Sequence, residues 1–405
     1  MHLRSRLLSA PRRLIGAAFL MDLYVAMVSL AVQYLGVQVL DAPEVGLGLF
    51  SAFSSGAYTL GCLISGSISD RYGRRRCAVV ACVGAAAAWL VLPSIGAWKY
   101  VLCVIPLSGL SLSLFWPSIQ AWLAELSTGG RRELTRNLGL FNTMWCAGLM
   151  LGPIAVGYLW NVGHALAFYV PAAMLSVIIV IVLVTPRGRA AAQADPQEEP
   201  VSGEDTKNYL TLARVGNFAN WFTCGVIMSM FPKLGDTLAF TTAQMGWILA
   251  AYRAGQLLMF IYTRYEHRWQ YKLWPMVVAQ LLAGAGLVGA VFLGSVASFA
   301  LCFGAAGIAA GLTYVGSLFY SLHGRSEGKG KTSGLHEAIL GSGLFLGPLL
   351  AGVAAQFISL RAPYALAAIA IVAACIGQGL IRARQARARA SALPKPLAAP
   401  GGPAR

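Results

Sequence analysis

The chain has 405 residues, of which 57% are hydrophobic and 11% charged, with a net charge of +16 and a mean hydropathy of +0.65. Soluble proteins carry about 25% charged residues, so the composition excludes an ordinary soluble domain, which could not cover its surface. The positive charge would suit a nucleic-acid binder, but its distribution along the chain excludes that class as well.

The first apolar run, 14–35, follows Arg4, Arg6, Arg12 and Arg13, an order shared with secretory signals. It is long enough to span a bilayer and lacks a convincing cleavage site, so it is read as the first membrane helix. Further runs follow at about 46–69, 77–96, 99–122, 137–159, 165–184, 209–231, 243–263, 273–293, 297–322, 333–357 and 363–382. Each approaches or exceeds the roughly 20 residues that a spanning helix needs, and the expectation is twelve spans. The polar stretch 186–208 reads as a solvated linker between an N-terminal six-helix bundle (1–185) and a C-terminal one (209–384), with 385–405 a low-complexity, disordered tail.

If these spans alternate, 26 of the 31 Lys and Arg residues fall on the side of the N-terminus. Lys99, Lys233 and Arg361 fall on the other side, and Arg214 and Arg253 lie inside spans. Topology accounts for this bias through the positive-inside rule, which puts both termini in the cytoplasm of an inner-membrane protein. The eight cysteines all fall in or beside apolar segments without a CxxC pair, so they are read as small packing residues. No cofactor or metal is expected.

Two internal matches support paired halves. Gly148, Gly152, Pro153 and Gly157 form GxxxGPxxxG in the fifth span. Gly343, Gly347, Pro348 and Gly352 repeat it in the eleventh, 195 positions later (148 to 343). Ala57-Tyr58-Thr59-Leu60-Gly61 in the second span matches Ala251-Tyr252-Arg253-Ala254-Gly255 in the eighth, 194 positions on (57 to 251). Small residues four apart permit close helix approach, and the proline permits a bend.

The turn after the second span reads Gly66-Ser67-Ile68-Ser69-Asp70-Arg71-Tyr72-Gly73-Arg74-Arg75-Arg76. It resembles the GxLxDRxGRR loop of the major facilitator superfamily, with Ile68 in place of Leu. Together with the paired glycine spans and the 6+6 layout, the resemblance covers nearly the whole chain. It implies an all-α membrane protein with twelve transmembrane helices in two pseudo-symmetric six-helix bundles, the major facilitator fold. It implies that Asp70 meets the start of the eleventh helix, near Thr332 to Leu335, as a latch between the halves, and that the glycine-proline spans sit at the interface of the halves. The equivalent second-half loop, Arg264 to Arg268, lacks the Asp and Gly pattern. Proton-coupled drug exporters of this superfamily carry a fourth-span Arg before a Gly, whereas Val104 to Gly109 has none.

Charges inside spans should face a cavity or a partner, because each costs several kcal/mol in lipid. Asp22 lies about 12 Å into the first span and Arg253 about 15 Å into the eighth, at 1.5 Å per residue. Asp22 is read as a proton or counter-ion site and Arg253 as an anchor for an anion or a carboxylate, against the alternative of a structural pair. Glu337 and Arg214 are expected to form a structural or gating pair near the cytoplasmic ends of the eleventh and seventh spans. Asn217 and Trp221 share a face with Arg214 by i, i+3, i+7 spacing. With Trp116, Gln120, Asn142, Trp145, Tyr252, Gln256 and Tyr314, they complete a candidate pocket.

The resulting expectation is a secondary transporter, not an enzyme. It would act as a monomer in the bilayer, moving a small solute by alternating access. Proton coupling is a hypothesis, and efflux or uptake is left open. The alternative is a transporter-like sensor or assembly scaffold without flux.

Overall fold

The computed structural model describes residues 2–127, 131–187, 203–322 and 329–392, and these form helices and short turns without a strand. Twelve long helices follow in order: α1 (His2–Tyr34), α2 (Glu44–Tyr72), α3 (Arg74–Val91), α4 (Trp98–Leu126), α5 (Arg131–Val162), α6 (Leu166–Val184), α7 (Gly203–Thr237), α8 (Thr242–Tyr265), α9 (Trp274–Phe292), α10 (Val296–Leu322), α11 (Lys329–Phe357) and α12 (Ala362–Ala392). A helix satisfies its own backbone polar groups, which is the requirement that lipid imposes. The large apolar side chains that point outward, such as Phe292, Leu301 and Ile358, are 76–79% exposed. That outward face suits contact with lipid tails.

The boundaries depart from the sequence reading in two places. α7 begins at Gly203, inside the expected linker, whose residues 188–202 lie outside the described set. α12 continues to Ala392, past the expected end of the bundle at 384. The rest of the tail, 393–405, lies outside the described residues. Ten of the twelve helices are long and apolar enough by themselves to cross a membrane. The other two are α7 and α8, which carry Arg214, Asn217, Asn220, Arg253 and Gln256. Their polar side chains turn inward, so lipid does not need to solvate them.

The two halves repeat one packing plan. In the first, α1 packs on α5 and α6, α2 on α4, and α3 on α4 and α6. In the second, α7 packs on α11 and α12, α8 on α10, and α9 on α10 and α12. The halves join along α2 with α11 and α5 with α8. The glycine repeat builds these seams. A methyl group added at Gly157 would lie 2.5 Å from Thr242 O of α8, and one at Gly352 would lie 2.7 Å from Glu44 O of α2. The earlier glycines of each motif, Gly148 with Gly152 and Gly343 with Gly347, close instead on α1 and α7 within their own halves.

The α2–α3 turn, both described chain ends and the α8–α9 connection share one face, termed here the basic face. Gly73 makes the α2–α3 turn in one residue at φ +90°, a conformation that glycine adopts without strain.

Candidate functional site

On the face opposite the basic one, the halves are tied together closely. Tyr34 Oη donates to Thr242 O (3.0 Å), and Thr242 Oγ1 lies 2.7 Å from Gly157 O and 2.8 Å from Asn161 Oδ1. Trp160 Nε1 donates to Gln38 Oε1 (2.8 Å), and Gln38 Nε2 donates to Asp236 Oδ1 (2.8 Å). Gln356 Oε1 accepts from Val45 N (3.1 Å). α2 and α11 stay in contact down to Thr59 and Gly341. Beyond that level, Leu60, Leu63, Ile64 and Leu335 are exposed. Among the described residues, no hydrogen bond joins the halves on the basic face.

Between the halves lies a cavity of about 300 Å³. Of the residues singled out from sequence, Asp22, Trp116, Gln120, Trp221, Arg253 and Tyr314 line it, as does Trp145. α1 and α8 bring Asp22 and Arg253 within electrostatic reach of one another, each only 7% exposed. The Arg253 guanidinium is held by two hydrogen bonds and two aromatic rings. Nη1 donates to Gln256 Oε1 (2.8 Å), Nη2 to Cys224 Sγ (3.4 Å), and its carbon stands 5.7 Å from the Trp221 ring and 5.2 Å from the Tyr252 ring. These contacts offset the cost of burying a charge.

Four residues expected in the pocket lie behind its wall. Tyr252 and Gln256 are buried and serve Arg253 from below. Asn142 Oδ1 accepts from Trp145 Nε1 (3.1 Å), which fixes that ring. Asn217 is fully buried, and neither amide atom has a hydrogen-bond partner. The i, i+3, i+7 spacing is sound as geometry, but it does not say which stretch of the face a neighbouring helix covers.

A further expectation is corrected. Arg214 and Glu337 do not form an ion pair. Arg214 lies within electrostatic reach of His336, whose Nδ1 is 2.8 Å from Ser317 Oγ, while Glu337 lines the cavity. His336 and Glu337 are adjacent on α11 and therefore point in different directions around it. Asp70, for which the resemblance implies a latch that holds one conformation, makes its ion pair within its own half in this one. It pairs with Arg74 Nη1 (2.6 Å), which also donates to Ser69 Oγ (3.0 Å), while Arg74 Nε meets Glu125 Oε1 (3.1 Å). The side chains of 332–334, part of the expected partner, lie outside the described residues. Arg75 donates to Thr185 O, and Arg71 is exposed beside Tyr72. Gly66 has open space around it.

Tyr58, Phe141, Cys224 and Met228 also line the cavity, and sequence reasoning passed over them. For Tyr58 a signal existed: it aligns with Tyr252 in the repeat, one residue before the position of Arg253. Phe141, Cys224 and Met228 look like any core residue in the sequence.

Known proteins with similar sequences or shapes share this architecture. The chain matches the family profile described as Major Facilitator Superfamily over residues 14–215 and 210–400. It is 23% identical over 237 residues to the quinolone resistance protein NorA of Staphylococcus aureus (strain MRSA252), covering 56% of this chain and 50% of that one. It is 28% identical over 200 residues to the uncharacterized MFS-type transporter YqjV of Bacillus subtilis (strain 168), covering 46% of each. The chain thus spans about half the length of the curated relatives it matches. Among solved structures, a point mutant of the nucleoside transporter NupG superposes with a TM-score of 0.69 at 12% identity, over 92% of this chain and 99% of that one. A bacterial homolog of the human lysosomal transporter Spinster, inward-facing and unoccupied, gives 0.69 at 13% identity, over 97% and 99%. At such identities the likeness concerns the fold.

Proposed function

The chain belongs to the Major Facilitator Superfamily, and from that premise we propose that it is a secondary transporter that moves a small solute by alternating access. One observation carries this reading: a cavity holding Asp22, Arg253 and Glu337 lies between two pseudo-symmetric halves that are sealed to each other on one face and separate toward the other. Ionisable side chains at membrane depth mark substrate or ion pathways because lipid alone would not tolerate them. By the positive-inside rule the basic face is cytoplasmic. The conformation is then inward-facing, with both termini in the cytoplasm and the protein a multi-pass monomer of the inner membrane. Asp22 carries the coupling proton, and Arg253 tunes its charge. The relative named for quinolone resistance supports small organic solutes as the class to test first.

The seal gives a test that needs no substrate. Spin labels introduced beside it through Val39→Cys and Thr237→Cys, with the exposed Cys103 replaced by Ser, report the distance across it in nanodiscs. Alternating access predicts a short-distance population from the contact described here and a second, longer one when the seal opens. A single short distance under every pH and solute condition would overturn the reading.

A further inference from the structure

The cavity presents two carboxylates and one guanidinium, and the three are not equivalent. Asp22 has Arg253 in reach, and Arg253 is bonded to Gln256 and Cys224 and stands over two aromatic rings. Glu337 lines the same cavity from α11, and it forms neither a hydrogen bond nor an ion pair through its side chain with any described residue. Its neighbours across the cavity are Tyr58 and Tyr314. The Tyr314 ring is packed edge-on against Trp145 (5.8 Å) and Trp221 (6.1 Å), so the acid stands at the edge of a continuous aromatic wall drawn from both halves.

That combination selects by charge. Ring faces attract cations through their quadrupole, and an uncompensated carboxylate at membrane depth requires a proton or a cation. An anion would meet two acidic groups against the single guanidinium of Arg253. A neutral solute could donate a hydrogen bond to Glu337 but would leave its charge uncompensated.

We propose that the cavity binds a small organic cation with a flat aromatic body, its charge held by Glu337 and its rings laid against Trp145, Trp221 and Tyr314. The inference rests on the transporter reading only for its biological purpose, since binding can be measured without flux. A cavity of about 300 Å³ limits the ligand to a few rings.

Equilibrium dialysis of the purified full-length protein tests this with three two-ring probes of one shape: 1-methyl-4-phenylpyridinium, neutral biphenyl-4-methanol and biphenyl-4-carboxylate. The cation is expected to bind at least about tenfold tighter than the alcohol, which corresponds to about 1.4 kcal/mol, and the carboxylate weakest of all. Glu337→Gln should erase the advantage of the cation and leave the alcohol unchanged, while Glu337→Asp keeps part of it. Equal affinities of the three probes for the wild-type protein, or a cation advantage that survives Glu337→Gln, would overturn the proposal. A readout on the wild-type chain guards against a variant that does not fold. The cation should protect Glu337 from modification by dicyclohexylcarbodiimide, and modification at an unchanged rate counts against the proposal. Cation binding without exchange in proteoliposomes would sink the transporter reading and leave this one standing. Flux of an anion with no cation binding would do the reverse.

Discussion

The two halves repeat one packing plan yet fasten their equivalent basic-face loops by different chemistry. In the first half, Arg74 gathers Asp70, Ser69 and Glu125, while Arg75 and Trp122 donate to the carbonyls of Thr185 and Pro186 at the end of α6. In the second half, Tyr271 sits at φ +54° between α8 and α9, and its N–H donates to the buried Tyr320 Oη (2.7 Å). The rings of Tyr209, Trp269 and Phe319 surround that pair, and Arg382 stacks over Tyr209 at 5.1 Å. A half-exposed ion pair can exchange partners at little cost, since it is worth about 0–1 kcal/mol. A buried ring cluster cannot, because opening it exposes apolar area at about 25 cal/mol per Å². The first-half loop is therefore suited to switching partners when the halves move, and the second-half loop to staying fixed.

The comparison extends to the cavity, where the first half supplies Asp22 and the second supplies Arg253 and Glu337. The largest effect is expected there. Asp22→Asn should abolish gradient-driven accumulation in proteoliposomes while sparing solute exchange, because exchange needs no net proton movement. Equal loss of both in a folded protein would take coupling away from the first half.

Tyr320→Ala should come next, lowering stability by about 3–5 kcal/mol through loss of a fully buried ring. Thermal unfolding in detergent measures this, and a loss below about 1 kcal/mol would mean that the aromatic cluster does not hold its loop. Arg74→Ala should cost less, about 1–2 kcal/mol, because its partners are partly solvated. Hydrogen exchange would locate the loosening in the α2–α3 turn. Asp70→Asn should be smallest at equilibrium, at most about 1 kcal/mol. In about 1 M salt, where the Debye length is about 3 Å, exchange in the α2–α3 turn should quicken while that around Tyr271 stays constant. Equal salt response in both loops would erase the distinction between them.

Much of the fold was legible in the sequence because lipid imposes a simple rule. Apolar runs of spanning length, arginines on alternate flanks and a glycine-proline motif repeated 195 positions on each report a constraint that acts locally along the chain. The same holds for Gly73, whose place in a one-residue turn follows from its freedom at positive φ. The charges at Asp22 and Arg253 were visible for a related reason: a buried charge needs a partner, whatever its surroundings.

What the sequence by itself determined, then, is the number and order of the helices and the existence of a polar interior. Tertiary packing decided which of its possible partners each polar residue takes. Arg253 takes Gln256 and Cys224 as its partners, Arg214 lies by His336 rather than Glu337, and Asp70 holds Arg74 within its own half. Glu337 is consequently left facing the cavity. These outcomes depend on how far each helix is rotated and where its neighbours end. That rotation comes from side-chain packing summed over many helices, and no single segment encodes it.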